Sequence, residues 1–146
     1  MKVSFFGHKD YPISDLSSDK ILNFIVNLIK TNDLIEFYFG GMNTFDNHCA
    51  NIVNNLKQKY PNIKSYYITP YLRESHISNI NKKLYNDIIY PPIETVPLKF
   101  AITKRNEWMI ENSDLIIFNL RFTFGGTYTA YRYALRKNKN VYNVND

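Results

Sequence analysis

Glycines stand at three places where a short apolar run gives out. Gly7 precedes His8, Gly40 is paired with Gly41, and Gly125 with Gly126. A glycine has no Cβ, so its backbone can approach a ligand closely and can adopt positive φ. Each of these turns leads into a helical pattern, whose first N–H groups have no partner within the helix. Those donors, together with the helix dipole, favour an anion such as phosphate. None of the three forms a full dinucleotide fingerprint or a Walker A loop. Polar side chains with matching chemistry lie nearby. Arg105 and Asn106 sit on one helical stretch, and an arginine can fork onto phosphate with paired charge-assisted bonds. The spacing fits equally well an ordinary surface ion pair on the Glu107 side or with Glu111. If Arg105 lines a solvent-filled pocket, its removal is expected to leave the fold largely intact. Asp46 fits ribose hydroxyls, and it fits compensation of the helix dipole in a first turn. His8 fits a ligand contact or an ordinary loop histidine. Glu94 follows Pro91-Pro92, whose rigid rings could set its direction. Gly126 is expected both to admit a ligand and to relieve strain in its turn.

Other chemistries are poorly supplied. His48 and His76 lack metal-ligand spacing with Cys49 or with any carboxylate cluster, so no metal site is expected. No cofactor is expected either. Cys49 falls on the inward face of a helix and reads as core rather than nucleophile. Trp108 and Met109 also read as core. One cysteine excludes an internal disulfide framework. The start, Met1 to Phe6, reads as a strand rather than a leader, so the expected location is cytoplasmic. No apolar run reaches the roughly 18 residues of a membrane span.

These residues need elements to position them. The chain has 146 residues, of which 45% are hydrophobic and 21% charged, enough for one domain spanning residues 1–146 with a real core. Strand and helix patterns alternate, which predicts an α/β, Rossmann-like open sheet, mostly parallel, of about five strands with helices on both faces. Expected strands are Lys2–Phe6, Ile35–Phe39, Lys64–Thr69, Leu115–Leu120 and Val141–Val144, with a brief further run at Asp87–Tyr90. The apolar run at Leu115–Leu120 reads as a central strand buried on both faces. Expected helices run from a Ser17 or Ser18 cap to Thr31, and over Phe45–Lys59, Leu98–Asn112 and Gly125–Lys137. On the last of these, Ala130, Tyr131, Ala134 and Leu135 are expected to face inward. In an open parallel sheet, ligands bind outside the carboxyl ends of the strands, where all three glycine turns would lie.

The net charge is +5, with lysines and arginines scattered along the chain. The cluster Arg132, Arg136, Lys137 and Lys139 reads as a solvated helix face. Tight DNA binding needs several phosphate contacts on one face, so nucleic acid is not the expected partner.

In order along the chain, several segments resemble one family. They are Phe5-Phe6-Gly7-His8-Lys9, Phe37 through Asp46, Pro92-Ile93-Glu94, Ala101 through Met109, Asn112-Ser113-Asp114 and Gly125-Gly126-Thr127. They resemble the SLOG superfamily of Rossmann-like proteins, which includes the Lonely Guy phosphoribohydrolases and the DNA-processing protein A domain. The closer likeness is to its small bacterial and phage-borne members. The resemblance implies binding of a nucleotide-derived small molecule and makes Arg105, Asn106, Asp46 and Glu94 expected pocket residues; with the strand-end turns, the expected ligand-binding residues are Gly7, His8, Gly40, Gly41, Asp46, Arg105, Asn106, Gly125, Gly126 and Thr127. It also implies a homodimer. Two departures stand out. Asn43 replaces the last glycine of a usual Gly-Gly-x-Gly, a place where Asn tolerates left-handed backbone. The phosphoribohydrolases carry Pro-Gly-Gly-x-Gly-Thr-x-x-Glu, and here Phe124, Tyr128 and Arg132 stand for the proline, the second-block glycine and the glutamate. An arginine cannot do a carboxylate's acid–base work. The expectation is therefore a sensing or sequestering module. The alternatives are an N-glycosidic hydrolase acting on nucleoside monophosphates, with Glu94 as its catalytic group, and a nucleic-acid-binding protein.

Overall fold

The computed structural model describes residues 1–9 and 13–145. Six parallel strands form one sheet: β1 (Lys2–Gly7), β2 (Ile35–Phe39), β3 (Ile63–Ile68), β4 (Asp87–Ile89), β5 (Leu115–Asn119) and β6 (Asn140–Asn143). The brief run at Asp87 is thus a true edge strand, one more than expected, pairing Tyr66 with Asp87 and Ile68 with Ile89. The helices are α1 (Asp15–Lys30), α2 (Thr44–Leu56), α3 (Glu74–Ile77), α4 (Ala101–Glu111) and α5 (Gly125–Arg136).

Strand alternation divides the core into two layers. Val3, Phe5, Phe37 and Ile117 point to the face covered by α1 and α2, where they meet Ile21, Ile25, Phe45, Cys49 and Val53. Phe6, Tyr38, Ile116 and Phe118 point to the other face, where they meet Met109 and Ile110 of α4 and Ala130 and Ala134 of α5. Cys49 is fully buried, and burial raises its thiol pKa well above the usual value. Leu135, expected to face inward, is instead exposed, and Thr127 takes an inward place on α5.

Helix starts follow local hydrogen bonding. Ser14, rather than Ser17 or Ser18, caps α1 by accepting from the Ser17 N–H at 3.1 Å. Asn43 caps α2 by accepting from the Asp46 N–H at 2.7 Å. Asn43 has extended backbone, φ −146°, so no left-handed turn is needed at this position.

The strand order is β4-β3-β2-β1-β5-β6. The chain therefore builds outward in one direction from β1, then crosses to its other side through α4. That reversal is a topological switch point, and it lies between β1 and β5. The far end of α4 is pinned there, since the Ser4 and Ser113 hydroxyls lie 2.6 Å apart and Asp114 Oδ2 accepts from the Lys2 N–H at 2.8 Å.

Gly7 closes β1 against α2. A Cβ added to Gly7 would stand 2.5 Å from Phe45 Cβ, an atom fixed to the backbone of α2. Gly7→Ala is therefore expected to destabilise the protein by about 1–3 kcal/mol, the usual cost of overpacking. Urea unfolding checks this, and an unchanged midpoint would contradict it.

Candidate functional site

At the carboxyl ends of β1 and β2, on the switch-point side, a cleft of about 490 Å³ opens. Gly7 and Lys9 of β1's exit, Gly40 and Asn43 of β2's exit, Arg105 and Asn106 of α4, and Gly126 and Thr127 of α5 all line it, and Asp46 of α2 lies at its floor. Parallel strands bring all three glycine turns to this one edge. Gly41 and Gly125 do not line the cleft. His8 and Glu94 do not line it either, and Glu94 is exposed. Sequence reasoning did not single out Lys9 or Met42 as site residues. The position of Lys9 directly after the first glycine turn was the available signal.

The glycines serve different ends. Gly41 has φ +70°, and a Cβ there would collide with the Tyr67 ring. At Gly40 a Cβ would reach Arg105 Cζ at 3.0 Å. Gly125 has φ +85°, so the turn itself demands glycine. Gly126 has no positive φ, and a Cβ there would meet nothing within 4 Å. Strain relief thus belongs to Gly125, and Gly126 faces open cleft. No side chain caps α5 at Phe124, whereas α1 and α2 are both capped by side chains. The start of α4, at Phe100, likewise has no side-chain cap, so the first backbone donors of α4 and α5 lack one.

Arg105 is 2% exposed. One terminal nitrogen donates to Ile68 O at 2.6 Å and to Gly40 O at 3.2 Å, and Nε donates to Asn106 Oδ1 at 2.9 Å. The other terminal nitrogen reaches Met42 Sδ at 3.7 Å. The surface ion pair with Glu111 does not form; Lys137 stands 3.9 Å from that carboxylate instead. Most of the guanidinium is committed to carbonyls at the ends of β2 and β3. It holds the cleft's shape and leaves little of the fork for a phosphate.

Asp46 is 2% exposed. Its Oδ2 accepts from the Gly40 and Gly41 N–H groups, both at 2.9 Å, which fixes the β2 exit. Its Oδ1 is buried with no partner among the described residues. Burial pushes this carboxyl up to about 7, against the pull of the two glycine amides and of the Arg105 guanidinium. Near neutral pH, Oδ1 can therefore accept a ligand's hydroxyl proton or hold one of its own. No second carboxylate lines the cleft among the described residues, so the arrangement is built for binding more than for paired acid–base work.

His8 has a positioning role. Its Nε2 accepts from the Arg121 and Phe122 N–H groups at 3.0 and 3.2 Å, which ties the exit of β1 to the loop entering α5. Burial lowers its pKa, in keeping with a neutral ring that accepts at Nε2.

No protein-family model matches the chain. An uncharacterised SPbeta prophage-derived protein of Bacillus subtilis, YoqJ, is 28% identical over 134 residues, covering 80% of this chain and 78% of that protein. Among solved structures, DNA processing protein A from Helicobacter pylori superposes with a TM-score of 0.66 at 18% identity. That match covers 97% of this chain and 63% of the solved one, so the chain spans about 63% of that protein's resolved length. The likeness shows the fold, a Rossmann-like α/β open sheet. The solved relative is described by its single-stranded DNA binding mode. This corrects the expectation that nucleic acid is not a partner class for such a chain. Dispersal of charge along the sequence was a poor guide, because parallel strands gather their exits in space. Lys9, Arg73, Lys99 and Arg121 lie on the connections that leave or re-enter this edge, and all four are exposed. Among the described residues no helix is long and apolar enough to cross a membrane.

Proposed function

We propose that this protein binds single-stranded nucleic acid at the carboxyl-terminal edge of its sheet, with one nucleotide of the strand seated in the cleft. The observation that carries this is Gly126, a glycine with no packing or conformational reason of its own, at the uncapped start of α5 and facing a cleft that also holds Lys9 and Asp46. There the backbone N–H groups would hold a phosphate, Asp46 Oδ1 would meet a ribose 2′-hydroxyl or the terminal hydroxyl of a deoxy strand, and Lys9 would screen the charge. Two further features support a strand rather than a lone nucleotide. The four exposed cations already named outnumber Glu74 and Glu94, the exposed acids of the same connections among the described residues. Phe122 and Phe124 stack at 5.3 Å beside the cleft, with Phe124 69% exposed, a surface on which a base can stack. The fold shared with the solved relative agrees with this reading.

A second reading is favoured by one observation. The cleft volume falls within the ordinary range for small-molecule pockets, which suits a free nucleotide-derived ligand taken up by a sensing or sequestering module.

Fluorescence anisotropy with a labelled single-stranded oligonucleotide tests the proposal. Affinity should fall between about 50 and 200 mM salt with a log–log slope near −0.7 per phosphate contacted. Gly126→Val should lower affinity about tenfold or more, about 1.4 kcal/mol, with the melting temperature unchanged because the added atoms enter open space. Absence of binding at low salt, or indifference to Gly126→Val, would refute the proposal. If a free nucleotide alone saturates the site in calorimetry while the oligonucleotide does not bind, the second reading replaces it.

A further inference from the structure

A second cavity of about 310 Å³ lies on the other side of the β2 exit. The segment from Gly40 to Asn43 is the partition between the two: Gly40 and Asn43 line the cleft, Gly41 lines the second cavity, and Met42 touches both. The second cavity has a different chemistry. Tyr67 and Tyr85 form an edge-to-face pair at 5.4 Å on one side of it. His76 lies 3.4 Å from the Tyr67 hydroxyl and edge-on to Tyr71 at 5.4 Å. Three amide side chains, Asn47, Asn79 and Asn81, share the rest of the wall with Ile80 and Leu84. Asn79 donates to Ser75 O at 2.8 Å and Asn81 accepts from the Lys83 N–H at 3.3 Å, so each keeps one polar end unengaged. The Asn47 amide has no hydrogen bond among the described residues. No charged side chain lines the cavity.

Aromatic walls with amide donors and acceptors, and no charge, suit a flat, neutral, hydrogen-bonding heterocycle. Rings of this kind stack on aromatic side chains, and an amide can meet a base edge with one donor and one acceptor. A phosphate would not be favoured here. Resting on the nucleotide reading of the cleft, we infer that this cavity is a nucleobase subsite, taking the base of a nucleotide whose backbone crosses the Met42 ridge from the cleft. The cleft then supplies phosphate and sugar contacts, and the second cavity supplies base contacts. His76 stays neutral in this setting, because burial and the nearby Arg105 and Arg73 disfavour its charged form.

The test uses the full chain and two labelled single strands of the same length, one intact and one made of abasic units. Asn47 is exposed on α2, and His76 sits on the short α3, so Asn47→Ala and the pair Asn47→Ala with His76→Ala should melt as wild type does. The double variant should bind the intact strand about tenfold more weakly and the abasic strand unchanged. Asn47→Ala alone should show a smaller loss with the same selectivity. Equal weakening for both strands, or no weakening, would overturn the base subsite while leaving the cleft reading intact. If wild type binds neither strand, both readings fall together.

Discussion

Arg105→Ala should unfold about 6–12 °C below the wild type in a thermal melt followed by circular dichroism. The residue lines the cleft, yet its guanidinium is almost fully buried and bonded to the carbonyls of Gly40 and Ile68. Removing it strands two buried acceptors at the ends of adjacent strands, and it takes a buried cation from beside the Asp46 carboxylate. A buried carbonyl left without a donor costs about 1–3 kcal/mol, and loss of one partner from a buried charge pair costs about 3–5. A net loss of about 3 kcal/mol, at 2–4 °C per kcal/mol for a chain of this size, gives the stated range. Arg105→Lys should recover only part, because an ammonium lacks the fixed fork that spans two carbonyls. This reverses the expectation that Arg105 could be removed without harm to the fold. That expectation assumed a side chain reaching into solvent, whereas this one turns back onto the sheet. A melting temperature within 2 °C of wild type would return Arg105 to the role of a free phosphate ligand.

Asp46→Asn should alter how stability depends on pH. Burial holds the Asp46 carboxyl near 7, above its ordinary value of 3.8. A raised folded-state pKa means that the protonated form is favoured by folding. Its contribution is complete below the unfolded value of 3.8 and is lost as pH rises through about 7. From pH 5 to 8 the wild type should therefore lose roughly 2–3 kcal/mol relative to Asp46→Asn, which mimics the protonated acid at every pH. His8 and His48 act in the opposite sense. Burial lowers both, so their contribution is present above the unfolded value of 6.5 and is lost as pH falls through the lower folded values. The raw profile sums these effects, but the difference between wild type and Asp46→Asn isolates the carboxyl. Urea unfolding at pH 5, 6, 7 and 8 measures it, and a constant difference would refute the shifted carboxyl.

The sequence by itself determined the layered architecture. Alternating strand and helix periods, and glycines after apolar runs, were enough to place the turns on one edge of a parallel sheet. Local chemistry was legible to the same extent. The first residues of α5 could be read from Gly125-Gly126, and the inward face of α2 from Phe45, Cys49 and Val53. Caps were harder: Ser14 and Asn43 took that role because their backbones are extended just before the first turn, which side-chain spacing does not encode.

Only the tertiary structure decided what each site residue does. Gly7, Gly41 and Gly126 look alike in sequence, yet one meets Phe45, one meets Tyr67 and one meets open space. The partners of Arg105 lie 65 and 37 residues away, at Gly40 and Ile68. Asp46 acquires its high pKa from burial beneath the β2 exit. Cations scattered over more than a hundred positions, from Lys9 to Arg121, come to one edge because every strand runs the same way. The physical reason is one of range. Periodicity is set by neighbours two to four residues apart, whereas burial, hydrogen-bond partners and local field depend on which distant segments the crossovers bring into contact.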